Sequence, residues 1–186
     1  INTHGRDVNE NEVLVLNDIS HPNIIEVYDA GRINGAVYTI EEYFDAESLE
    51  DKVCWSKIVD SDRFRNIFSG VVSGLRVLHV DKGIVHRDIK PDNILVGRND
   101  LAKLCDFQLA RKLDDGRVSS ITTKGGTAYA PASVLNAVLD GRPSDVSLES
   151  DFYGLGATMY FALTGKKLRN IRLVKDEEGK PITLGD

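Results

Sequence analysis

The sequence predicts an α+β fold, mainly helical with a few short antiparallel strands, and three observations carry that expectation. Apolar residues at Phe64, Ile67, Phe68, Val71, Val72, Leu75 and Leu78 follow the i, i+3, i+4, i+7 rule, which marks one long helix over residues 61–80. Two runs rich in strand formers, 24–28 and 36–43, flank a turn at 31–35 whose Asn34-Gly35 pair suits a tight hairpin. Short apolar runs at 94–96 and 101–104 flank polar residues 97–100 and predict a second hairpin.

Taken in order, residues 7–19 read as a helix with Val8, Val15 and Ile19 on one face. Glu12 shares that face, and a carboxylate on an apolar stripe wants a partner. Pro22 ends the helix by disfavouring helical geometry in the residue before it. After the first hairpin comes the long helix, which Gly83 stops, and then the second hairpin. Residues 111–126 are polar and rich in hydroxyls, and predict an exposed loop. The longest apolar run, 152–163, is too short to span a bilayer and fits a buried helix. The tail, 175–186, is polar and is expected to fray.

Bulk properties narrow the function. With 186 residues the chain makes one domain with a real core. Its 23 basic and 29 acidic residues give a formal charge of -6, which argues against a nucleic-acid module and supplies no polybasic membrane patch. The two cysteines, Cys54 and Cys105, lie far apart without zinc-ligand spacing, and with no apolar leader they suggest a reduced, soluble cytoplasmic protein. Nothing in the sequence specifies an oligomer.

The chemistry concentrates in His86-Arg87-Asp88-Ile89-Lys90-Pro91-Asp92-Asn93, with Asp106-Phe107 eighteen residues beyond Asp88. Carboxylate and amide oxygens are the hard ligands that Mg²⁺ prefers, and a lysine beside them suits phosphate. This octet resembles the catalytic loop of eukaryotic-type protein kinases, pattern H-R-D-x-K-x-x-N, followed by the Asp-Phe pair of their metal-binding motif. Lys90, in place of the arginine or alanine of tyrosine-specific loops, resembles the Ser/Thr class.

The resemblance implies a protein kinase-like fold with a residual N-lobe of one helix and two antiparallel strands, and a mainly helical C-lobe. On it, residues 1–186 are one partial kinase domain: about 7–44 the remnant N-lobe and hinge, 45–174 the C-lobe, and 175–186 a polar tail. It implies ATP and Mg²⁺ as cofactors and a protein substrate with a Ser/Thr acceptor. Asp88 would accept or orient the hydroxyl proton, Lys90 would neutralise the γ-phosphate, and Asn93 with Asp106 would hold Mg²⁺. Arg87 would pair with a phosphate on the activation segment, for which Ser120, Thr122 and Thr123 are candidates.

Around the nucleotide the resemblance places Glu42 and Phe44 at the hinge, Glu41 at the gatekeeper and Leu95 beneath the adenine. Glu12 stands where the family's helix C glutamate stands, its lysine partner expected upstream. His86 and Phe107, with Leu16 and Val27, match the hydrophobic spine, and Asp151 matches the anchor of the catalytic-loop backbone.

The sequence also departs from the pattern. No G-x-G-x-x-G occurs, and Gly165-Lys166 lacks P-loop spacing, so the chain is expected to begin inside a domain. Gln108 replaces a glycine kept for backbone freedom, and Ala132 replaces a glutamate after Ala130-Pro131. Residues 126–131 are two shorter than the family's docking segment, which bears on the usual contact of Thr127 with Asp88 and Lys90, and the connection 132–151 is longer. Two functions therefore stay open. The chain is either the catalytic segment of a Ser/Thr protein kinase, transferring the ATP γ-phosphoryl group to protein hydroxyls, or an impaired pseudokinase that acts as a binding or regulatory module.

Overall fold

The computed structural model describes residues 19–34, 36–56, 60–115, 117–118, 127–145, 147–168, 171–175 and 181–185. The predicted helix at 7–19 with Glu12 and Leu16, and the hydroxyls of Ser119, Ser120, Thr122 and Thr123, lie outside them.

Strands β1 (Val27–Ile33) and β2 (Ala36–Glu41) pair antiparallel, with Ile33 opposite Ala36, and form the first hairpin that the sequence predicts. Asn34 takes the left-handed conformation at φ 52, which asparagine tolerates. The first strand starts three residues later than its apolar run suggests. Ile24 and Ile25 are buried, but they dock beside the second hairpin instead: the Ile25 amide donates to the Leu104 carbonyl at 2.8 Å, and the Leu104 amide to that of Asn23 at 2.9 Å.

β3 (Glu47–Ser48) leads into α1 (Leu49–Ser56), a helix that apolar periodicity does not announce. Its signal is a cap. The Asp51 amide donates to Ser48 Oγ at 3.1 Å, and Ser48 Oγ donates to the Asp51 carboxylate at 2.7 Å. α2 (Ser61–Arg76) starts at Asp60, whose carboxylate accepts from the amides of Asp62 and Arg63, both at 3.0 Å. It buries Ile67, Phe68, Val71 and Leu75, while Val72, expected on the same stripe, is exposed. A π turn, Val77–Asp81, prolongs α2 to Gly83, whose φ of 64 ends it.

β4 (Ile84–Val85) precedes the octet. β5 (Ile94–Val96) and β6 (Ala102–Leu104) form the second predicted hairpin, and β3 adds to β5, giving the sheet β3-β5-β6. β7 (Arg111–Lys112) pairs with β4, and β8 (Arg117–Val118) with β9 (Ser144–Asp145). The long connection 132–151 is taken up by α3 (Ala132–Leu139) and β9. α4 (Glu149–Thr164) is the helix predicted from the apolar run, buried at Gly154, Ala157, Thr158, Phe161 and Ala162, though Phe152 and Leu163 are exposed.

The tail differs from the expectation of a frayed end. β10 (Ile171–Lys175) and β11 (Pro181–Gly185) pair in register from Ile171–Gly185 to Lys175–Pro181. Alternation of Ile171 and Leu173, and of Ile182 and Leu184, with neighbours of the other face is a strand pattern that the overall polarity of the tail obscures.

One core joins α2, the sheet β3-β5-β6, the octet and α4, with Ile67, Val71, Leu78, Ile89, Ile94 and Leu104 fully buried. Gly74 lets the segment around Asn23 reach it. A Cβ at position 74 would stand 2.8 Å from the Asn23 carbonyl oxygen, closer than real contacts allow.

Candidate active site

The octet is a loop pinned from below. Asp151, in the first turn of α4, has no solvent exposure and accepts three hydrogen bonds: from the Arg87 amide at 2.6 Å, the His86 amide at 2.8 Å and His79 Nε2 at 2.7 Å. A carboxylate only accepts, so His79 carries the proton on Nε2 in this bond. The anchoring lets Arg87 hold φ at 67, a left-handed conformation that costs a side-chain-bearing residue about 1–2 kcal/mol. His86 is fully buried, packs its ring on Phe107 at 4.8 Å and shares a 3.1 Å hydrogen bond with the Cys105 carbonyl. Of the other spine positions, Val27 is buried.

Above this base the polar side chains of the octet meet. Lys90 Nζ donates to Asp88 Oδ2 at 2.6 Å, and Asn93 Nδ2 donates both to that oxygen and to the Asp88 carbonyl, each at 2.9 Å. The Lys90 and Asp88 side chains are each 14% exposed, so the pair is sheltered but reachable. Oδ2 is thus occupied by two donors and Oδ1 is left for a third. The two donations use Asn93 Nδ2 and leave its Oδ1 as acceptor.

Asp106 comes alongside because the Cys105 amide donates to the Asn93 carbonyl at 3.1 Å. Asp106 has φ 60 and an exposed side chain. Gln108 carries no positive φ among the described residues, so the expected strain from losing glycine there does not arise; the left-handed residue is Asp106 itself. Burial, with the charges of Asp106 and Glu41 next, pushes the Cys105 thiol up to about 12.

Arg87 reaches away from Asp88. Its guanidinium donates to the Leu109 carbonyl and to Ser144 Oγ, each at 3.5 Å, and so links the octet to the segment after Asp106-Phe107 and to β9. Thr127 begins the 3₁₀ turn Thr127–Tyr129; its side chain is not among those described.

On the β1–β2 side, Glu41 ends β2. Partial desolvation and then the charge of Asp106 raise its carboxyl above the usual range, which puts Glu41 within electrostatic reach of the Asp106 carboxylate. Burial also acts to raise Glu42, but a hydrogen bond from Lys103, another from the Glu26 amide at 2.9 Å and the Lys103 charge outweigh it, and its carboxyl is lowered. The Lys103 ammonium lies 5.3 Å from the Phe44 ring centroid. The Glu42 amide donates to the Glu26 carbonyl at 2.9 Å, whereas the Phe44 backbone makes no backbone hydrogen bond among the described residues. Leu95, in β5, packs half-buried against the core.

Sequence reasoning missed Lys103 and His79. Lys103 is the polar residue between buried Ala102 and Leu104, and the period of two sends it to the other face. His79 follows Leu75 by four on the helical stripe, where a polar group needs a partner.

A model of the protein kinase domain matches residues 2–179. The chain belongs to the protein kinase family. It is similar to the serine/threonine-protein kinase CHK1 of Saccharomyces cerevisiae, 31% identical over 176 residues that cover 93% of this chain and 33% of that protein. It is also similar to the probable serine/threonine-protein kinase fhkE of Dictyostelium discoideum, at 34% identity over 83% of this chain and 22% of the other. The human serine/threonine-protein kinase ULK1 is 30% identical over 83% of this chain and 15% of its own length. The chain spans a third or less of these relatives. The kinase family generally uses ATP and Mg²⁺ and acts on protein substrates. Among the described residues no helix is long and apolar enough to cross a membrane.

Proposed function

We propose that this kinase segment transfers the γ-phosphoryl group of ATP to Ser/Thr hydroxyls of a protein substrate, with the octet as its catalytic loop. The observation that carries this reading is the Asp88 carboxylate, held on one oxygen by Lys90 and Asn93 and with Oδ1 left to accept a proton. In that role Asp88 Oδ1 orients the acceptor hydroxyl and takes its proton. Lys90 uses one of its ammonium protons on Asp88 and has two more for phosphate oxygens.

The donor set fits Mg²⁺. The exposed Asp106 carboxylate and the Asn93 amide oxygen are hard ligands of the kind that leave other positions to phosphate and water. ATP bound with Mg²⁺ supplies the electrophilic phosphorus, while Phe44 offers its backbone N–H and C=O to the base and Leu95 an apolar surface. Glu42 belongs to this rim as a support, since its side chain and amide are engaged by Lys103 and Glu26. Glu12 and the Arg87 phosphate partner are proposed on the family pattern alone.

The test is transfer of labelled phosphate from ATP to a generic Ser/Thr substrate by the full chain, before and after Asp88→Asn. Loss of a general base lowers the rate by about 10²–10⁴. Undiminished transfer by the variant would overturn the assignment.

A further inference from the structure

The β5–β6 hairpin has two faces, and the one turned away from buried Ile94, Val96, Ala102 and Leu104 carries Leu95 and Lys103. These two stand directly opposite each other, and cross-strand partners share a face, so the apolar surface offered to the base has an ammonium as its neighbour. Lys103 then reaches out of its own sheet. Its Nζ pairs with Glu42 Oε1 and lies 5.3 Å from the Phe44 ring centroid, with the Lys103 and Glu42 side chains only 11% and 18% exposed. Glu42 Oε1 accepts from the Glu26 amide at 2.9 Å as well, and the Glu42 amide donates to the Glu26 carbonyl at 2.9 Å. One sheltered cation thus ties residues 42–44 and the segment entering β1 to the hairpin beneath them.

Phe44 is held at a second point. A Cβ at Gly97 would stand 2.6 Å from Phe44 Cζ and 3.3 Å from the Asp45 carbonyl oxygen, so the ring lies against bare backbone just past β5. Gly97 itself has φ -92, an extended conformation open to any residue. What calls for glycine there is room for the ring. With its side chain held at Gly97 and at Lys103, Phe44 keeps its backbone in a fixed relation to Leu95, the other residue that meets the base.

We propose that Lys103 is a positioning residue for the nucleotide: through Glu42 and Phe44 it fixes the segment that meets the base against the floor made by Leu95, and so sets affinity for the base of ATP rather than for its phosphates. This deepens the kinase reading and rests on its placing the base at Phe44 and Leu95.

The experiment uses the full chain and two probes that divide ATP: adenosine, which carries the base, and tripolyphosphate with Mg²⁺, which carries the phosphates. Binding is read by titration calorimetry, and peptide phosphorylation gives KM for ATP. Lys103→Met is expected to weaken adenosine about tenfold, the worth of one charged hydrogen bond, and to raise KM for ATP in proportion, while tripolyphosphate binds as it does to the parent. Lys103→Arg keeps the charge and should fall between the two. Gly97→Ala leaves the charge in place but presses on the Phe44 ring, and should weaken adenosine in the same sense. Arg63→Met breaks a different ion pair of the same hairpin, 2.9 Å from Arg63 Nε to Asp100, and should bind both probes as the parent does. Adenosine affinity unaltered in Lys103→Met, lowered as much in Arg63→Met, or lost in step with tripolyphosphate affinity overturns the role of Lys103 and leaves the kinase reading standing. Adenosine binding that depends on Lys103, with no transfer to any peptide, overturns the kinase reading and leaves that role standing. A parent that binds neither adenosine nor ATP overturns both.

Discussion

Replacing Asp151 with asparagine keeps the shape of the anchor and changes what it can accept. Oδ1 takes the Arg87 amide, and Oδ2 takes both the His86 amide and His79. With the carboxamide oxygen on the Oδ2 side, two of the three bonds survive and the new NH₂ faces the Arg87 N–H, donor against donor. Flipped, it loses two. The smallest loss is therefore one charge-assisted bond plus a buried N–H without an acceptor, about 3 kcal/mol at the upper end of the range for such bonds. In a domain of this size that lowers Tm by about 6–12 °C. Arg87 then has no reason to keep φ at 67, and its relaxation shifts the adjacent Asp88. A displacement approaching 1 Å costs about a hundredfold in rate. The assays are thermal unfolding by circular dichroism and kcat/KM for peptide phosphorylation. An Asp151→Asn protein that melts within a degree or two of the parent and keeps its kcat/KM would refute the view that these three bonds hold the loop.

Two further changes test the surroundings. Lys103→Met leaves the Glu42 carboxylate without its cation. A carboxyl lowered by folding adds stability that is present above its unfolded pKa and lost as pH falls through the folded one, so the parent should lose stability across that acidic window and Lys103→Met should lose less there. Urea unfolding over a pH series measures this, and identical slopes in the two proteins would count against the pair. Gly74→Ala sets a Cβ 2.8 Å from the Asn23 carbonyl, a backbone atom that cannot rotate away, and the overpacking should cost about 1–3 kcal/mol in chemical denaturation despite the helix preference for alanine; equal or greater stability would show that the segment yields freely.

What the sequence disclosed and what it withheld divide along a physical line. Periodicity reads which face of an element is buried, so α2, α4 and the two hairpins were legible, and Asn34-Gly35 fixed a turn because few residue pairs accept its geometry. Polarity summed over the tail hid β10 and β11, since a strand needs alternation rather than net hydrophobicity. Pairing is the harder matter. His79 and Asp151 lie 72 residues apart, Lys103 and Glu42 61, and no local pattern can say which polar residue on a buried face meets which. Backbone strain is equally hidden. The missing glycine at position 108 suggested strain there, yet at the site the left-handed residues are Arg87 and Asp106, which carry side chains. Glycine would tolerate such a conformation without help. A residue with a Cβ holds it only while something compensates, and for Arg87 the compensation is the amide bond to Asp151. The loop's shape thus resides in a long-range hydrogen bond, which is why it can be weakened from α4 without touching any residue of the octet.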